Sequence, residues 1–439
     1  MLSYNNDRTN SVGDLRIIAL NIAKSRFEKY IDYKIAFMDI QKSSFHQVQQ
    51  YFPALARDMK GNPVIFLDGP AGTQVPIQVI EAISNYYKSS NSNTHGFFRN
   101  TRETDKIIQE AREWSAKFLG AEGPETISFG QNMTTLAYLL SAGFGRILNP
   151  GDEIMITQLD HEANRGPWLV LKEKGIVIIE VNITSGGTLD MDDFQNKLSK
   201  RTKLVAVGCA SNALGTVNDL STIRKISRAA GAKLLLDAVH FAPHFPINVQ
   251  EFDCEFLLAS SYKFYGPHVG ILYSKPGELD RLPVDSLRTQ DQIPPFKIET
   301  GTLNHAAIAG VTACIKFIME MAGEDTPQKA MDLLATYERK LLEKLYTGLA
   351  TIPSVKIQGP GLDYPRTPTV SFTHAKYRPE EVCEKLGEMG IFAWDGHFFA
   401  IRPIEALGLL ERGGVTRIGI SMYTTENEVS KAIEAIASI

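Results

Sequence analysis

The stretches LLLDAVH (residues 234–240) and LLASSYKFYGPHVGILY (residues 257–273) decide the fold of this 439-residue chain. In the first, an apolar run ends at Asp237, and His240 follows shortly after it. A carboxylate at the end of a buried strand needs a cationic partner to offset its desolvation. A helix-capping or paired structural aspartate is the ordinary alternative for such a residue taken alone. This stretch therefore predicts a buried strand that ends in a polar crevice.

The second stretch places Lys263 in a polar turn between two apolar strands, just before Gly266 and Pro267. Lysine serves as a Schiff-base nucleophile when burial and neighbouring charges lower its pKa. A lone loop lysine more often faces solvent, so Lys263 alone carries little motif information. Because Asp237 and Lys263 are one strand-and-turn unit apart, we expect them to face the same crevice.

Two upstream segments have the same form, a short apolar run followed by polar residues. In FGQNMTTLAYLLSAG (residues 129–143), Asn132 opens an uncharged helix. A helix N-terminus is an anion site or simply an ordinary N-cap. In ITQLDHEANRGPW (residues 156–168), His161 and Asn164 follow another strand, where a histidine is functional or structural.

Short β-rich runs such as EIMIT, IVIIEV, KLVAVG and KLLLD alternate with helical segments, which predicts a largely parallel sheet with helices on both faces. Such sheets bind ligands outside the carboxyl ends of their strands. Long helices follow residue 320. We therefore expect an N-terminal extension with a weak helical pattern over residues 1–45, a large α/β domain over 46–320 and a smaller α+β domain over 321–439. Packing of residues 46–62 with the small domain is the alternative.

Composition narrows the functional class. The net charge is -4 without a basic block, so we expect a small-molecule substrate and neither nucleic acid nor an anionic membrane as a partner. The longest uncharged stretch, residues 126–145, is too polar for a membrane span. The four cysteines form no CxxC pair, and the N-terminus lacks a signal-peptide pattern, so we expect a reducing, cytoplasmic location.

Several catalytic motifs are missing from the sequence. It contains no GxGxxG, GxxxxGK[ST], HExxH or GxSxG pattern. His240 and His244 have helical spacing, but Pro243 and Pro246 argue against a helix that would direct both at one ion. The sequence therefore does not favour a nucleotide-binding or a zinc-binding protein, and we expect no metal.

Taken together, these residues resemble the class V aminotransferase family of fold type I pyridoxal-phosphate enzymes, and within it the cysteine-desulfurase-like branch. The resemblance runs from about residue 66 to the C-terminus. It rests on motifs that occur in the family's order: FLDGPAGTQVP, DHEAN, SNALGT, LLLDAVH, SSYKFYGPHVG, IETGTLN and VTRIGISMY. It implies a mainly parallel seven-stranded sheet between helices, with a smaller C-terminal α+β domain.

The resemblance also implies a cofactor site for pyridoxal 5'-phosphate. Lys263 would form the Schiff base and move protons, and Asp237 would pair with the pyridine nitrogen. His161 would stack on the ring. His240 would stand near the ring hydroxyl, where relatives often carry glutamine, with Asn212 close to the same edge. The residues around the phosphate would be Asn132, Met133, Thr134, Ser260 and Tyr262.

The family resemblance implies a homodimer as well, because Thr302 in IETGTLN matches a position that touches the cofactor phosphate of a second subunit. Arg417 in VTRIGISMY matches the arginine that grips the substrate carboxylate, a paired surface arginine being the alternative. Desulfurases of the closest type carry a persulfide-forming cysteine near the stretch that here reads GHFFA (residues 396–400). No cysteine stands in that stretch here; His397 in it is a candidate substrate contact, and Cys383 falls on a predicted helix.

These observations predict an enzyme that acts on the α-amino group of a small amino acid, with desulfurase-like or carbon–sulfur lyase chemistry. An aminotransferase or an amino-acid epimerase would use the same residues, and a non-catalytic scaffold of the same fold is an alternative of another class. The intact set Lys263, Asp237, His161 and Arg417 favours an enzyme. The sequence leaves open the substrate and the choice between elimination, transamination and epimerisation.

Overall fold

The structure is a computed structural model that describes residues 43–439. The predicted extension over residues 1–45 lies outside the described part, apart from residues 43–45. The α-helices of the described part are Ile77–Asn85, Arg99–Leu119, Met133–Ile147, Gly166–Leu169, Met191–Lys197, Leu220–Ala230, Val249–Phe252, Glu278–Arg281, His305–Ala322, Pro327–Ala350, Pro379–Glu388, Ile401–Ala406 and Glu426–Ser438.

In chain order the strands of the described part are β1 (Asp58–Met59), β2 (Asn62–Pro63), β3 (Ile65–Phe66), β4 (Ile127–Gly130), β5 (Glu153–Thr157), β6 (Val177–Val181), β7 (Thr202–Gly208), β8 (Lys233–Asp237), β9 (Phe256–Ser260), β10 (Gly270–Ser274), β11 (Val355–Gln358), β12 (Thr369–His374), β13 (Ile391–Phe392), β14 (Trp394–Gly396) and β15 (Val415–Gly419). The predicted apolar runs EIMIT, IVIIEV, KLVAVG and KLLLD form the strands β5 to β8 of the described chain.

A seven-stranded sheet forms the centre of the molecule, in the order β4-β10-β9-β8-β7-β5-β6. Strand β10 runs antiparallel to β4 and β9, and the other pairs are parallel. The residues of β9 are all buried, which is why this strand reads as a continuous apolar run. The mainly parallel seven-stranded sheet predicted from the sequence is confirmed.

Helical crossovers bring the carboxyl ends of the parallel strands to one edge. The helix Leu220–Ala230 joins β7 to β8 and begins at Asp219, whose carboxylate accepts a hydrogen bond from the Thr222 N–H at 3.0 Å. It ends at Gly231, which has a φ of 79° that glycine adopts without strain. The chain therefore re-enters the sheet as β8, parallel to β7, and leaves it at Asp237.

A second sheet lies in the C-terminal part, with strand order β11-β12-β15-β14 and antiparallel pairing throughout. It shares a hydrophobic core with the helices Pro327–Ala350 and Glu426–Ser438. Strand β3 pairs with β13, and Gln49 donates from Nε2 to the Tyr423 carbonyl at 2.9 Å, so the chain before β4 contacts this part too. The domain boundary at residues 320 and 321 stays a prediction.

One helix in the described part, His305–Ala322, is long and apolar enough to cross a membrane by length and composition alone. In the structure 72% of it is buried against the rest of the chain. Such burial is typical of the core helix of a globular domain.

Candidate active site

A cavity opens where the parallel strands of the central sheet end. Ten residues that the sequence singled out line it, together with Asp160, Ala163, Gly208, Ala210 and Val239. The ten are Asn132, Met133, Thr134, His161, Asn212, Asp237, His240, Ser260, Tyr262 and Lys263. They come from five separate loops, so the fold brings together residues that are up to 131 positions apart, the separation of residues 132 and 263.

One end of the cavity is the N-terminus of the helix Met133–Ile147. Asn132 caps this helix by accepting a hydrogen bond from the Thr135 N–H at 2.9 Å, and the Met133 N–H donates to Ser260 Oγ at 3.0 Å. Gly270 allows the close approach, because a Cβ there would lie 2.5 Å from the Asn132 carbonyl carbon. Free N–H groups and the helix dipole make this end suitable for an anion.

The Lys263 amine lies in the same cavity and is 9% exposed as a residue. Its Nζ donates to the carbonyls of Pro70 at 2.6 Å and Ala71 at 3.0 Å. Burial and the nearby charge of Arg417 lower the pKa of Lys263 to about 7. A large fraction of this amine is therefore uncharged, and nucleophilic, at neutral pH.

Asp237 ends β8, beside the strand that leads to Lys263. Its carboxylate accepts a hydrogen bond from the Val239 N–H at 2.9 Å. Burial raises the pKa of Asp237 to about 7; the Val239 hydrogen bond opposes this rise, the charge of Asp160 adds to it, and that of Lys263 opposes it. Asp237 is thus a buried carboxylic acid, and a stronger cationic partner would stabilise its ionised form.

Asp160, which the sequence analysis did not select, also lines the cavity. It accepts hydrogen bonds from the Gly208 N–H and, at 2.9 Å, from Thr157 Oγ1. Burial raises its pKa to about 6. It stands directly before His161 in DHEAN, after β5, so the strand-end rule that selected Asp237 applies to it equally. Its hydrogen bonds tie the ends of β5 and β7 together beneath the cavity.

The His161 imidazole is neutral. Its Nδ1 accepts a hydrogen bond from the Ala163 N–H at 3.0 Å, which leaves the ring proton on Nε2. Burial, Lys263 and Arg417 together lower the pKa of His161 to about 4. An uncharged ring at the cavity wall suits stacking on a flat ligand better than an imidazolium would.

His240 and Asn212 present buried polar atoms at the cavity. Asn212 donates from Nδ2 to the Phe398 carbonyl at 2.9 Å, but its Oδ1 has no hydrogen-bond partner among the described residues. Nδ1 of His240 likewise has none in that part of the chain. Because buried polar atoms are rarely left unpaired, both atoms point to a polar ligand.

Arg417 lies on β15 and is not among the cavity-lining residues, although its charge lowers the pKa of both Lys263 and His161. It donates from one terminal nitrogen to the Asn212 carbonyl at 2.9 Å, whereas its Nε is unpaired among the described residues. The Phe398 ring covers the guanidinium at 3.9 Å. Burial lowers the pKa of Arg417 to about 9, opposed by Asp68.

The loop over residues 396–400 crosses the site. The carbonyls of Phe398 and Phe399 accept hydrogen bonds from Asn212 Nδ2 and, at 2.7 Å, from the Glu162 N–H. Both phenylalanines have positive φ values, 54° and 57°, which are strained for bulky residues. His397 is half-buried in this loop, with its Nδ1 accepting from the Phe399 N–H at 3.2 Å, and does not line the cavity.

Thr302 lies outside the cavity. It is exposed and lines other surface hollows, beside Leu303. Cys383 lies on the helix Pro379–Glu388 and lines a separate hollow with Trp394 and Asp395. The other three cysteines are buried, so no thiol stands on the cavity wall of the described chain.

The donor set of the cavity fits pyridoxal phosphate. An amine of lowered pKa could bond to the aldehyde, and the carboxylate of Asp237 could accept a hydrogen bond from a protonated pyridine nitrogen. The atoms of His240 and Asn212 that have no partner in the described part of the chain could bind the ring hydroxyl. The helix N-terminus at Met133 could receive the phosphate. A mainly parallel seven-stranded sheet with this donor set at the carboxyl ends of its strands is the arrangement of the fold type I pyridoxal-phosphate class.

Comparison with known proteins agrees with this class. The family model for aminotransferase class V matches residues 65–432, and the chain belongs to that family. It is 33% identical over 408 residues to a probable cysteine desulfurase of Mycolicibacterium paratuberculosis and 31% identical to one of Synechocystis. Each alignment covers 89% of this chain, but 58% of the first relative and 94% of the second.

The solved structures that resemble this chain come from the same branch. A cysteine desulfurase from Thermococcus onnurineus superposes with a TM-score of 0.82 at 28% identity, over 90% of this chain and 97% of that one. A cysteine desulfurase from Escherichia coli gives 0.78 at 25% identity, over 89% and 97%. The predicted family and its cysteine-desulfurase-like branch are confirmed.

Proposed function

We propose that this chain is a pyridoxal-phosphate-dependent carbon–sulfur lyase that acts on cysteine or a closely related small amino acid. The main support for this proposal is that the Lys263 amine and the Asp237 carboxylate line the same cavity. Within the described chain, no cysteine lines that cavity. The proposed reaction converts cysteine and water into pyruvate, ammonia and hydrogen sulfide. Pyridoxal phosphate, when bound, supplies an electron sink that acidifies the Cα–H bond.

Lys263 would hold the cofactor and then move the proton. Its amine is held by the Pro70 and Ala71 carbonyls, and its lowered pKa allows it to accept the Cα proton at neutral pH. The same Nζ could then return that proton to the departing sulfur. Asp237 would keep the pyridine nitrogen charged, because its buried carboxylate is favoured by a cationic neighbour.

Arg417 would orient the substrate through its carboxylate. Its Nε has no hydrogen-bond partner among the described residues, and its buried charge lacks a full counter-charge, so the guanidinium would bind an anion strongly. Phe398 shields one face of the guanidinium, so the carboxylate would approach along its edge. The loop over residues 396–400 would then exclude water from the reacting bond.

Elimination is favoured over persulfide transfer because the loop lacks a nucleophile for sulfur. Cys383 lines another hollow, and burial raises the pKa of its thiol to about 12. A thiol of such pKa is a poor nucleophile at neutral pH. The sulfur would therefore leave as hydrogen sulfide.

We also propose a cytoplasmic homodimer. Thr302 is exposed and outside its own cavity, as a residue that serves a second subunit would be. Exposed apolar side chains such as Phe97 and Leu287 provide surface that a partner could cover. Sedimentation of the purified protein tests this assembly, and a monomer at micromolar concentration would contradict it.

The reaction is tested by incubating the cofactor-loaded protein with cysteine and measuring sulfide, pyruvate and alanine. We expect equal amounts of sulfide and pyruvate and no alanine. The variant Lys263→Ala should lose both products, whereas Cys383→Ser, the matched control for persulfide chemistry, should keep them. Alanine formation that depends on Cys383 would refute the elimination, and keto acid that requires a second amino acceptor would indicate transamination.

A further inference from the structure

The two ring nitrogens of His240 lie in different surroundings. Nε2 lies 3.0 Å from Thr369 Oγ1 and 3.3 Å from Thr367 Oγ1. Nδ1 is buried and has no partner among the described residues, although His240 lines the cavity. One side of the ring therefore faces two hydroxyls, and the other is available to a ligand.

The His240 ring is uncharged. Burial lowers its pKa well below the ordinary value, and the nearby groups His244, Lys263, Arg417 and His161 act in the same direction. The His244 ring lies 5.6 Å away, and its Nδ1 bonds to Glu338 Oε2 at 2.8 Å. A neutral imidazole has a single N–H, so the tautomer decides whether Nδ1 donates or accepts.

The hydroxyl hydrogens decide between the two tautomers. Thr367 can donate its hydrogen to the Gly215 carbonyl at 3.4 Å. Thr369 is fully buried, and its Oγ1 has His240 Nε2 as its recorded hydrogen-bond partner in the described chain. A buried hydroxyl hydrogen needs an acceptor, and an unprotonated Nε2 would supply one to Thr369. The ring proton is then on Nδ1.

We propose that Thr369 is a positioning residue that fixes His240 in the Nδ1–H tautomer, so that His240 donates a hydrogen bond to the ring oxygen of the cofactor. This role rests on the proposed function, since it needs pyridoxal phosphate in the cavity. A glutamine amide could present either its donor or its acceptor by rotation, whereas His240 held by Thr369 can only donate. Thr369 lies on β12, so the C-terminal part of the chain would set the chemistry at the end of β8.

The tautomer is tested first without cofactor, by nitrogen NMR of protein labelled in histidine. His240→Gln identifies the His240 signals by their loss. We expect Nδ1 to give the signal of a protonated ring nitrogen and Nε2 that of an unprotonated one. A protonated Nε2 would overturn the proposal, whatever reaction the enzyme catalyses.

The consequence for the cofactor is tested by the yellow absorbance of the loaded protein as a function of pH. A donor to the ring oxygen stabilises its negative charge and eases loss of the proton shared with the Lys263 nitrogen. Thr369→Val should therefore raise the midpoint pH of the band by about one unit, a tenfold change in proton affinity. Thr369→Ser keeps the hydroxyl and should restore the midpoint.

Thr367→Val is the matched control, because it removes a neighbouring hydroxyl whose hydrogen the Gly215 carbonyl can accept instead of His240. This variant should not raise the midpoint pH of the yellow band. An unchanged midpoint in Thr369→Val, or an equal rise in Thr367→Val, would overturn the proposal. A protein that shows the Nδ1–H signal but binds no pyridoxal phosphate would refute the proposed function and the donor role, leaving only the tautomer assignment.

Discussion

Replacement of Asp237 by asparagine should stabilise the protein when it lacks cofactor. Burial raises the pKa of Asp237 from 3.8 to about 7, so folding disfavours the ionised carboxylate. The sign follows from this: the unfolded chain releases the proton first, and stability is lost as pH rises from about 4 to about 7. The asparagine side chain carries no charge and keeps an oxygen for the Val239 N–H.

The magnitude follows from the pKa values. A shift of about three units corresponds to about 4 kcal/mol of penalty at pH 8, and about 2 kcal/mol of it is already present at pH 5. The gain in unfolding free energy of Asp237→Asn over the wild type should therefore be about 2 kcal/mol larger at pH 8 than at pH 5. Each variant is compared with the wild type at the same pH, so titrations common to both cancel.

Urea unfolding of the cofactor-free protein at the two pH values measures this difference. The matched control is Asp280→Asn, because Asp280 is exposed on the helix Glu278–Arg281 and should give no pH-dependent gain. With saturating pyridoxal phosphate the order should reverse, since the wild-type carboxylate then has a cationic partner. Equal effects of Asp237→Asn at pH 5 and pH 8 would refute the electrostatic reasoning.

Three further predictions concern neighbouring residues. Formation of the yellow band on adding pyridoxal phosphate should slow below pH 7 and become independent of pH above it, because the Lys263 amine with a pKa of about 7 must be unprotonated; a rate constant that is unchanged from pH 6 to 8 would contradict this. Arg417→Lys should raise KM for the amino acid about tenfold with little change in kcat, because it loses the bidentate geometry; steady-state kinetics would contradict it by an unchanged KM. Gly270→Ala should lower the unfolding free energy by about 1–3 kcal/mol, because its Cβ would meet the Asn132 backbone at 2.5 Å; an unchanged urea midpoint would contradict it.

The fold could be predicted from the sequence because inner strands of the central sheet, such as β5 and β8, are buried over nearly all of their length. EIMIT and KLLLD occur as β5 and β8 with the predicted bounds, since apolar runs of this length have little alternative but a covered parallel sheet. Because ligands lie beyond the carboxyl ends of parallel strands, Asp237 and Lys263 could then be predicted to share one crevice. Sheet order and the antiparallel β10 depend on tertiary packing and carry no local signal.

The site residues that could not be predicted from the sequence act through contacts between distant segments of the chain. Asp160 was not predicted as a site residue, although it lies just after β5 as Asp237 lies at the end of β8. Thr369 could not be predicted as a site residue, because a threonine in a buried strand such as β12 is ordinary and only the structure shows His240 beside it. The covering of Arg417 by Phe398 likewise depends on a loop conformation with positive φ values that the residues of GHFFA do not favour.

The central claim is that the Lys263 amine reaches a cofactor lying against the Asp237 carboxylate. Reduction of the loaded protein with borohydride, followed by peptide mass spectrometry, tests it most directly. The account predicts a phosphopyridoxyl group on the peptide that contains Lys263, and its loss in Lys263→Ala. A label on a different lysine, or a protein that takes up none, would contradict it.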